Sequence, residues 1–343
     1  MRFSSPFPMF IAMGEGLQRV LGMQISYSMD EFKRMAGPSE RHAVTIGNFD
    51  GVHKGHRELI RVTREKAAER NVPSALVTFD PHPVHVVRAI EKPDLLTPLS
   101  RKLELLEATG LDRVLVLPFT RAVAAMSAED FAREVLVDTL RATDLVTGFN
   151  FAMGKGREGN YTALTELGRQ FSFAVTQVPP VIVGRETVSS SLVREHIRSG
   201  DMEKATTLLG RMHSVDGGII HGEGRGRKLG FPTANIRFGS ELLPPLGAYA
   251  TWLRILSEEG SEPFPSMTSV GTNPTFGGTS LSLETNVLDF SADLYGKTVR
   301  LYFASRLRAE ITFKSAADLV ARLRHDADAA REALDRGREE TIV

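Results

Sequence analysis

Cysteine is absent from the sequence, which excludes a disulfide framework, a thiolate metal site and a cysteine nucleophile. An excess of charge of either sign is absent as well, since 42 Lys and Arg face 42 Asp and Glu. No global basic field is available to hold a nucleic acid, and no acidic surplus argues for disorder, so a charged ligand must be held locally. Trp and Tyr are few, one and five, which weighs further against a nucleic-acid partner. A long apolar run near the start is missing: Phe7 to Met13 is short, contains Pro8 and is followed by Gly14-Glu15. Neither a membrane span nor a secretory signal is expected, and the chain reads as cytoplasmic. Residues 1–22 lack periodicity and precede a second methionine, Met23. Residues 1–40 are expected to be a leader and lead-in, disordered to about residue 22, with no chemistry resting on them.

What is present, over 343 residues, is enough chain for roughly two domains. From 41 to about 185, β-type apolar runs at Ala43 to Ile46, Ser74 to Phe79, Arg113 to Leu117, Leu145 to Thr147 and Phe173 to Val178 alternate with helical patterns. Leu59, Ile60, Thr63 and Ala67 fall on one helix face, and Ser127-Ala128-Glu129-Asp130 has the form of a helix start. This alternation predicts an α/β domain with a parallel sheet, expected over 41–205. From about 206 to 343, short runs at Ser214 to Ile220, Gly247 to Ile255, Thr268 to Val270, Ser282 to Leu288 and Val299 to Phe303 are separated by Gly and Pro. They predict a compact antiparallel barrel, closed by a helix over about 316–336 with Leu319, Leu323 and Ala327 on one side.

The first stretch that carries chemistry is G-N-F-D-G-V-H-K-G-H, residues 47–56, directly after the first apolar run. Glycines at 47, 51 and 55 allow close backbone approach, and amides opening a helix near Gly55 favour an anion such as phosphate. His53 and His56, at i and i+3, can face that anion and stabilise charge growing at phosphorus. The pattern lacks the Gly-Lys-Ser/Thr ending of a Walker loop and the dinucleotide G-x-G-x-x-G. It resembles the H-x-G-H signature of adenylyltransferases that are similar to class I aminoacyl-tRNA synthetases. That motif leaves several substrates open, pantetheine phosphate and nicotinamide mononucleotide among them.

A second stretch, G-R-G-R-K-L-G-F-P-T-A-N-I at 224–236, places Gly226 and Gly230 before Phe231 and the rigid Pro232. Alternation then sets Thr233 and Asn235 on the same side of an extended segment, where a hydroxyl and an amide oxygen suit Mg²⁺ and phosphate. Taken alone, the basic residues at 225–228 would serve equally as a phosphate patch for nucleic acid.

Further motifs narrow the choice: T-F-D-P-H-P at 78–83, L-T-P-L-S-R-K-L-E-L-L at 96–106, G-F-N-F-A-M-G-K-G-R-E-G at 148–159, V-S-S-S-L-V-R-E-H-I-R-S-G-D at 188–201 and V-G-T-N-P-T-F-G-G at 270–278. With the two stretches above they resemble the bacterial bifunctional riboflavin kinase/FAD synthetase family, from about 41 to about 335. The resemblance implies that Gly47, Asn48, Phe49, Asp50, His53, Gly55 and His56 surround ATP phosphates. It puts Phe79, Pro81, His82, Pro83, Asn150, Phe151 and Arg157 on flavin-side and adenine-side loops. Ser189, Ser190, Ser191 and Arg194 would bind phosphate oxygens and the leaving pyrophosphate, although plain helix capping also accounts for the serines. In the barrel it implies Glu284 as general base, with Thr233 and Asn235 toward metal and nucleotide. Mg²⁺ is the implied cofactor, and riboflavin, FMN, FAD and ATP are the implied small-molecule partners. Members often carry Arg at the position of Leu192, Asp at Asn150, Phe at Met153 and His at Asn286. A chain with only one working half is therefore an alternative reading.

Overall fold

The computed structural model describes residues 22–88, 94–222, 226, 230–258, 260–275 and 278–336, so the leader to residue 21 and most of the loop at 223–229 lie outside the described residues. Six strands, β1 (Gln24–Ser26), β2 (His42–Ile46), β3 (Ser74–Asp80), β4 (Arg113–Pro118), β5 (Ala142–Gly148) and β6 (Ala174–Val178), form one parallel sheet. Their order is β1-β4-β3-β2-β5-β6. The central strands are buried along nearly their whole length, which is why they appear in the sequence as unbroken apolar runs rather than alternations. Helices α1 (Met29–Ala36), α2 (Lys54–Arg70), α3 (Pro83–Arg88), α4 (Leu99–Glu107), α5 (Arg121–Ala125), α6 (Ala128–Phe131) and α7 (Tyr161–Phe171) connect them. Helix α2 buries Ile60, Thr63 and Ala67 as its periodicity predicts, and Ser127 caps α6 by accepting from the Asp130 amide. Within the lead-in, Gln24 to Ser26 add an edge strand beside Arg113 to Leu115. Three residues are too few for a period-two pattern to show.

The chain runs outward from β2 through β3 to β4, then returns to place β5 on the other side of β2. The order therefore reverses at β2, and the crevice at the carboxyl ends of β2 and β5 is where such sheets bind ligands.

After a small hairpin of β7 (Ile182–Val183) and β8 (Glu186–Thr187), helices α8 (Ser190–Ser199) and α9 (Met202–Leu209) lead into six further strands. These are β9 (His213–Ile220), β10 (Ala234–Phe238), β11 (Gly247–Ile255), β12 (Phe264–Thr275), β13 (Gly278–Val287) and β14 (Thr298–Ala309), followed by α10 (Ala316–Arg336). They close into an antiparallel barrel, β10-β13-β12-β11-β14-β9, with irregular register between β11 and β14 at Ala248/Tyr249 and Ala250/Thr251. Alternation along β11 sends Tyr249, Leu253 and Ile255 inward, while Ala250 and Trp252 meet Ala327, Ala330 and Leu334 of α10.

Inside the barrel four buried hydroxyls form a chain: Thr285 to Thr268 (2.9 Å), Thr268 to Thr251 (2.8 Å) and Thr251 to Ser266 (2.8 Å). Ser266 donates onward to the Thr251 carbonyl at 3.0 Å, so each hydroxyl hydrogen points from Thr285 toward Ser266.

The two halves share a core. Val193, Ile197, Met202, Ala205, Leu208 and Leu209 of α8 and α9 belong to the same apolar cluster as the barrel interior, together with Leu96. Buried Arg300 of β14 adds a polar tie, donating to Asp216 of β9 (2.6 and 2.7 Å) and to Glu104 of α4 (2.7 Å). Leu95 is also bonded to the barrel side, from its amide to Ser240 (3.1 Å) and from the Leu242 amide to its carbonyl (2.8 Å).

Candidate functional site

Strand β2 ends at Ile46, and the next seven residues make a tight turn into α2 at the sheet's reversal point. Phe49 and Val52 both take positive φ (49° and 39°) while fully buried, an unfavourable conformation that the surrounding packing must hold in place. Gly51 (φ +86°) is required there, since a Cβ would stand 2.8 Å from Leu96 Cδ1.

His53 is the N-cap of α2, and its Nδ1 accepts from the His56 amide at 3.2 Å. That bond leaves the His53 proton on Nε2, where it is a donor. The His56 ring stacks on His53, with centroids 3.6 Å apart and 14° between planes, and Phe49 lies against His56 at 5.0 Å. Burial pushes His53 down to about 4 and His56 well below its ordinary value, with neighbouring Arg211 acting in the same direction. Two stacked neutral imidazoles at a helix amino terminus can donate to an anion without repelling each other.

Asp50 anchors this turn. Its buried carboxylate accepts from the amides of Leu96 (3.0 Å) and Thr97 (3.0 Å) and from Arg194 of α8. Arg194 also donates to the Asp94 carbonyl at 2.9 Å. Ser190 Oγ donates to the Asp50 carbonyl at 2.9 Å, whereas Ser189 caps α8 by accepting from the Leu192 amide at 3.2 Å. Lys102 of α4 is buried and donates to Thr78 Oγ1 at 3.3 Å, and Thr78 donates to the Asn48 carbonyl at 3.1 Å. Asn48, Asp50, His53, His56, Ser190 and Arg194 are thus gathered at one place from residues up to 146 apart in number.

The remaining loop residues are distributed around this centre. His82 carries a pKa pushed down to about 4 by burial, with Asp50, Lys102 and Arg194 acting on it, and its Nδ1 accepts from the Val84 amide at 3.2 Å. Pro81 is exposed before Pro83 opens α3. Phe79 faces the core, edge-on to Phe119 at 5.3 Å. Beyond β5, Arg157 (φ 62°) donates to the Asn150 carbonyl at 2.9 Å, closing the loop around half-buried Phe151. Gly47 donates from its amide to the Val77 carbonyl at 3.1 Å, Gly55 lies in the first turn of α2 and Ser191 is exposed at the start of α8.

A second constellation lies on the barrel. Register sets Asn235 of β10 opposite Glu284 of β13, and Thr233 Oγ1 donates to Glu284 Oε2 at 3.4 Å. Asn286 Nδ2 donates to the Pro232 carbonyl at 2.7 Å, fixing the extended segment that carries Thr233. The Phe231 amide donates to the Gly226 carbonyl at 2.9 Å, and Gly230 turns the chain at φ +81°. Beside Thr233 opens a pocket of about 590 Å³ with Ile219, Ala234, Thr285, Phe290 and Tyr295 among its walls. Apolar walls with a few polar groups suit a ring system carrying a hydroxylated tail.

Residues 36–192 match the family model described as FAD synthetase, and residues 209–334 match that of riboflavin kinase. The bifunctional riboflavin kinase/FMN adenylyltransferase of Escherichia coli (strain K12) is 36% identical over 295 residues, which span 86% of this chain and 93% of that protein. The chain belongs to the bifunctional riboflavin kinase/FMN adenylyltransferase family. The Bacillus subtilis (strain 168) member is 32% identical over 291 residues, 83% of this chain and 90% of that protein. A crystal structure described as a macrolide-efflux protein from Streptococcus pneumoniae shares the fold, with TM-score 0.79 and 28% identity over 90% of this chain and 98% of that one. Efflux finds no echo in either family model, and no described helix is long and apolar enough to cross a membrane.

Several residues of these sites are silent in the sequence. Thr97 and Lys102 lie in a quoted motif, but their contacts cross 46 and 24 residues. Gly222 permits the Asn235 amide to sit where a Cβ would be 2.0 Å away. Arg211 lies buried between α9 and β9 with no motif of its own.

Proposed function

We propose that the two constellations divide the two activities of the family, with residues 206–343 phosphorylating riboflavin and residues 41–205 adenylylating the FMN so formed. In the barrel, Glu284 takes the proton of the riboflavin 5′-hydroxyl as its oxygen attacks the γ-phosphorus of ATP and the β–γ bridge breaks to release ADP. Thr233 holds Glu284 in position, and the Thr233 hydroxyl with the Asn235 amide oxygen would hold Mg²⁺ together with the nucleotide. These hard oxygen donors fit that ion, and phosphate oxygens of the nucleotide would complete its shell. Bound there, Mg²⁺ would offset phosphate charge.

At the sheet, an oxygen of the FMN phosphate attacks the α-phosphorus of a second ATP, and the α–β bridge breaks with its electron pair going to pyrophosphate. The FMN phosphate is already ionised, so no base is needed. His53 Nε2–H, His56 and the amides opening α2 stabilise charge, Ser190 ties α8 to the turn through its bond to the Asp50 carbonyl, and Arg194, held by Asp50, faces the leaving group. His82, Pro83, Asn150 and Arg157 border the flavin and adenine. The reading includes no nucleic-acid or membrane partner, and a chain without cysteine suits the cytoplasm.

The observation that carries this division is the stacked pair of neutral histidines at the sheet's reversal point, separate from Glu284 on the barrel. Chromatography of flavins after incubation with riboflavin, ATP and Mg²⁺ tests it: FMN appears first and FAD follows. A His53→Ala chain is expected to stop at FMN; a folded His53→Ala chain that forms neither product would sink the division.

A further inference from the structure

The segment joining the halves carries a buried guanidinium with open donors. Arg211 follows α9 and is 2% exposed, yet its Nε and Nη1 have no hydrogen-bond partner among the described residues. Burial first, then Arg101, Arg57 and Arg300, push its guanidinium down to about 9, with Asp50 opposing. Three acids nearby are committed elsewhere. Asp50 holds the Leu96 and Thr97 amides and Arg194, while Glu104 and Asp216 hold Arg300. A buried cation without a partner is costly, and adding a further cation to a cluster of arginines raises that cost.

The same segment lies on the H-x-G-H turn. A Cβ on Gly51 would stand 3.3 Å from Leu209 Cδ2, and a Cβ on Gly210 would stand 3.5 Å from Lys54 Cε. The Arg211 charge acts on both His53 and His56. His56 Nδ1 and Arg57 Nε, also buried, lack partners too. Cationic and polar groups left open beside a phosphate-type turn describe a site completed by an anion.

We propose that Arg211 is an anion-binding residue of the adenylyltransferase site, supplied by the joining segment, and that it takes one of the two phosphates that leave as pyrophosphate. This rests on the assignment of residues 47–56 to adenylyl transfer. It also means that the sheet half is incomplete without the segment leading into the barrel.

The test uses the full chain and its reverse reaction, in which FAD and inorganic pyrophosphate give FMN and ATP. Arg211→Met is expected to raise the KM for pyrophosphate at least tenfold and to abolish the rise in melting temperature that pyrophosphate produces. Riboflavin phosphorylation stays unchanged, and Arg211→Lys recovers part of the loss. Because Nε and Nη1 have no hydrogen-bond partner among the described residues, the melting temperature of Arg211→Met without ligand is expected to equal or exceed that of the original chain. An unchanged KM overturns the proposal. A fall in melting temperature, or failure of Arg211→Met to fold while Arg211→Lys is stable, overturns it too, since the charge would then be paired in the free protein. An original chain that forms no FAD would instead remove the underlying assignment.

Discussion

Asp50 shows how one buried carboxylate can tie a turn to two distant segments. It lies beneath the turn and aligns Arg194 with the Leu96–Thr97 backbone. Asp50→Asn places an amide donor against donors and leaves Arg194 without its counter-charge. A loss of about 3 kcal/mol is expected by urea denaturation, because one partner of a buried pair is removed. FAD formation should fall further than FMN formation. Glu284→Gln has the opposite signature: phosphorylation of riboflavin drops by about 10² to 10⁴, as for loss of a general base, while FAD still forms from supplied FMN. The histidines add a pH dependence. His53 and His213 are both pushed down to about 4 by burial, His213 while bonded to the Leu242 carbonyl. Between about 6.5 and 4 the unfolded chain takes up protons that the folded chain refuses, so stability is lost as pH falls through that window. Each fully buried histidine contributes at most about 1.4 kcal/mol per pH unit. Melting curves from pH 7 to 5 should show the decline before the carboxylates titrate; a flat profile there would count against neutral buried imidazoles.

At the level of elements, the sheet was legible because its central strands are buried along nearly their whole length and its helices keep one apolar stripe. The barrel was legible in kind but not in full: five apolar runs mark five of its six strands, β10 carries no such run, and β12 and β14 run on to Thr275 and Ala309 through polar residues that no apolar run marks. Motif spacing brought out His53, His56 and Thr233, which lie in a turn and an extended segment, whereas Glu284 was pointed to by the family resemblance alone. The partners of Asp50 and Thr97 lie in distant segments, with Asp50 and Arg194 144 residues apart, and neither periodicity nor spacing encodes such pairs. Two elements invite tests. Gly222→Ala forces the Asn235 amide away from its position, so the KM for ATP in riboflavin phosphorylation should rise about tenfold or more while adenylylation of supplied FMN is unaffected. Thr268→Val interrupts the hydroxyl chain between β11, β12 and β13 and strands Thr285 without an acceptor. A cost of about 1–3 kcal/mol in denaturant titration is expected, against near neutrality for Thr-to-Val changes on the surface.

The whole molecule is tied across its middle by α8 and α9, by Arg300 and by Leu95. Sheet and barrel should therefore unfold together. Trp252, the single tryptophan, sits in the barrel beneath α10 and reports that half alone, whereas far-ultraviolet circular dichroism reports both. Coincident transitions by the two probes are expected, and separated midpoints would show that the shared core does not couple them. The shared core also reaches beyond stability. Two enzymes made as separate chains can be supplied in any ratio, but here every kinase arrives with one adenylyltransferase, and damage to either half lowers the dose of both. The balance between FMN and FAD then cannot be adjusted by making more of one catalyst. It must be written into the relative affinities and turnover of the two sites, which makes each substitution in either site a change in the proportion of two cofactors as well as in a rate.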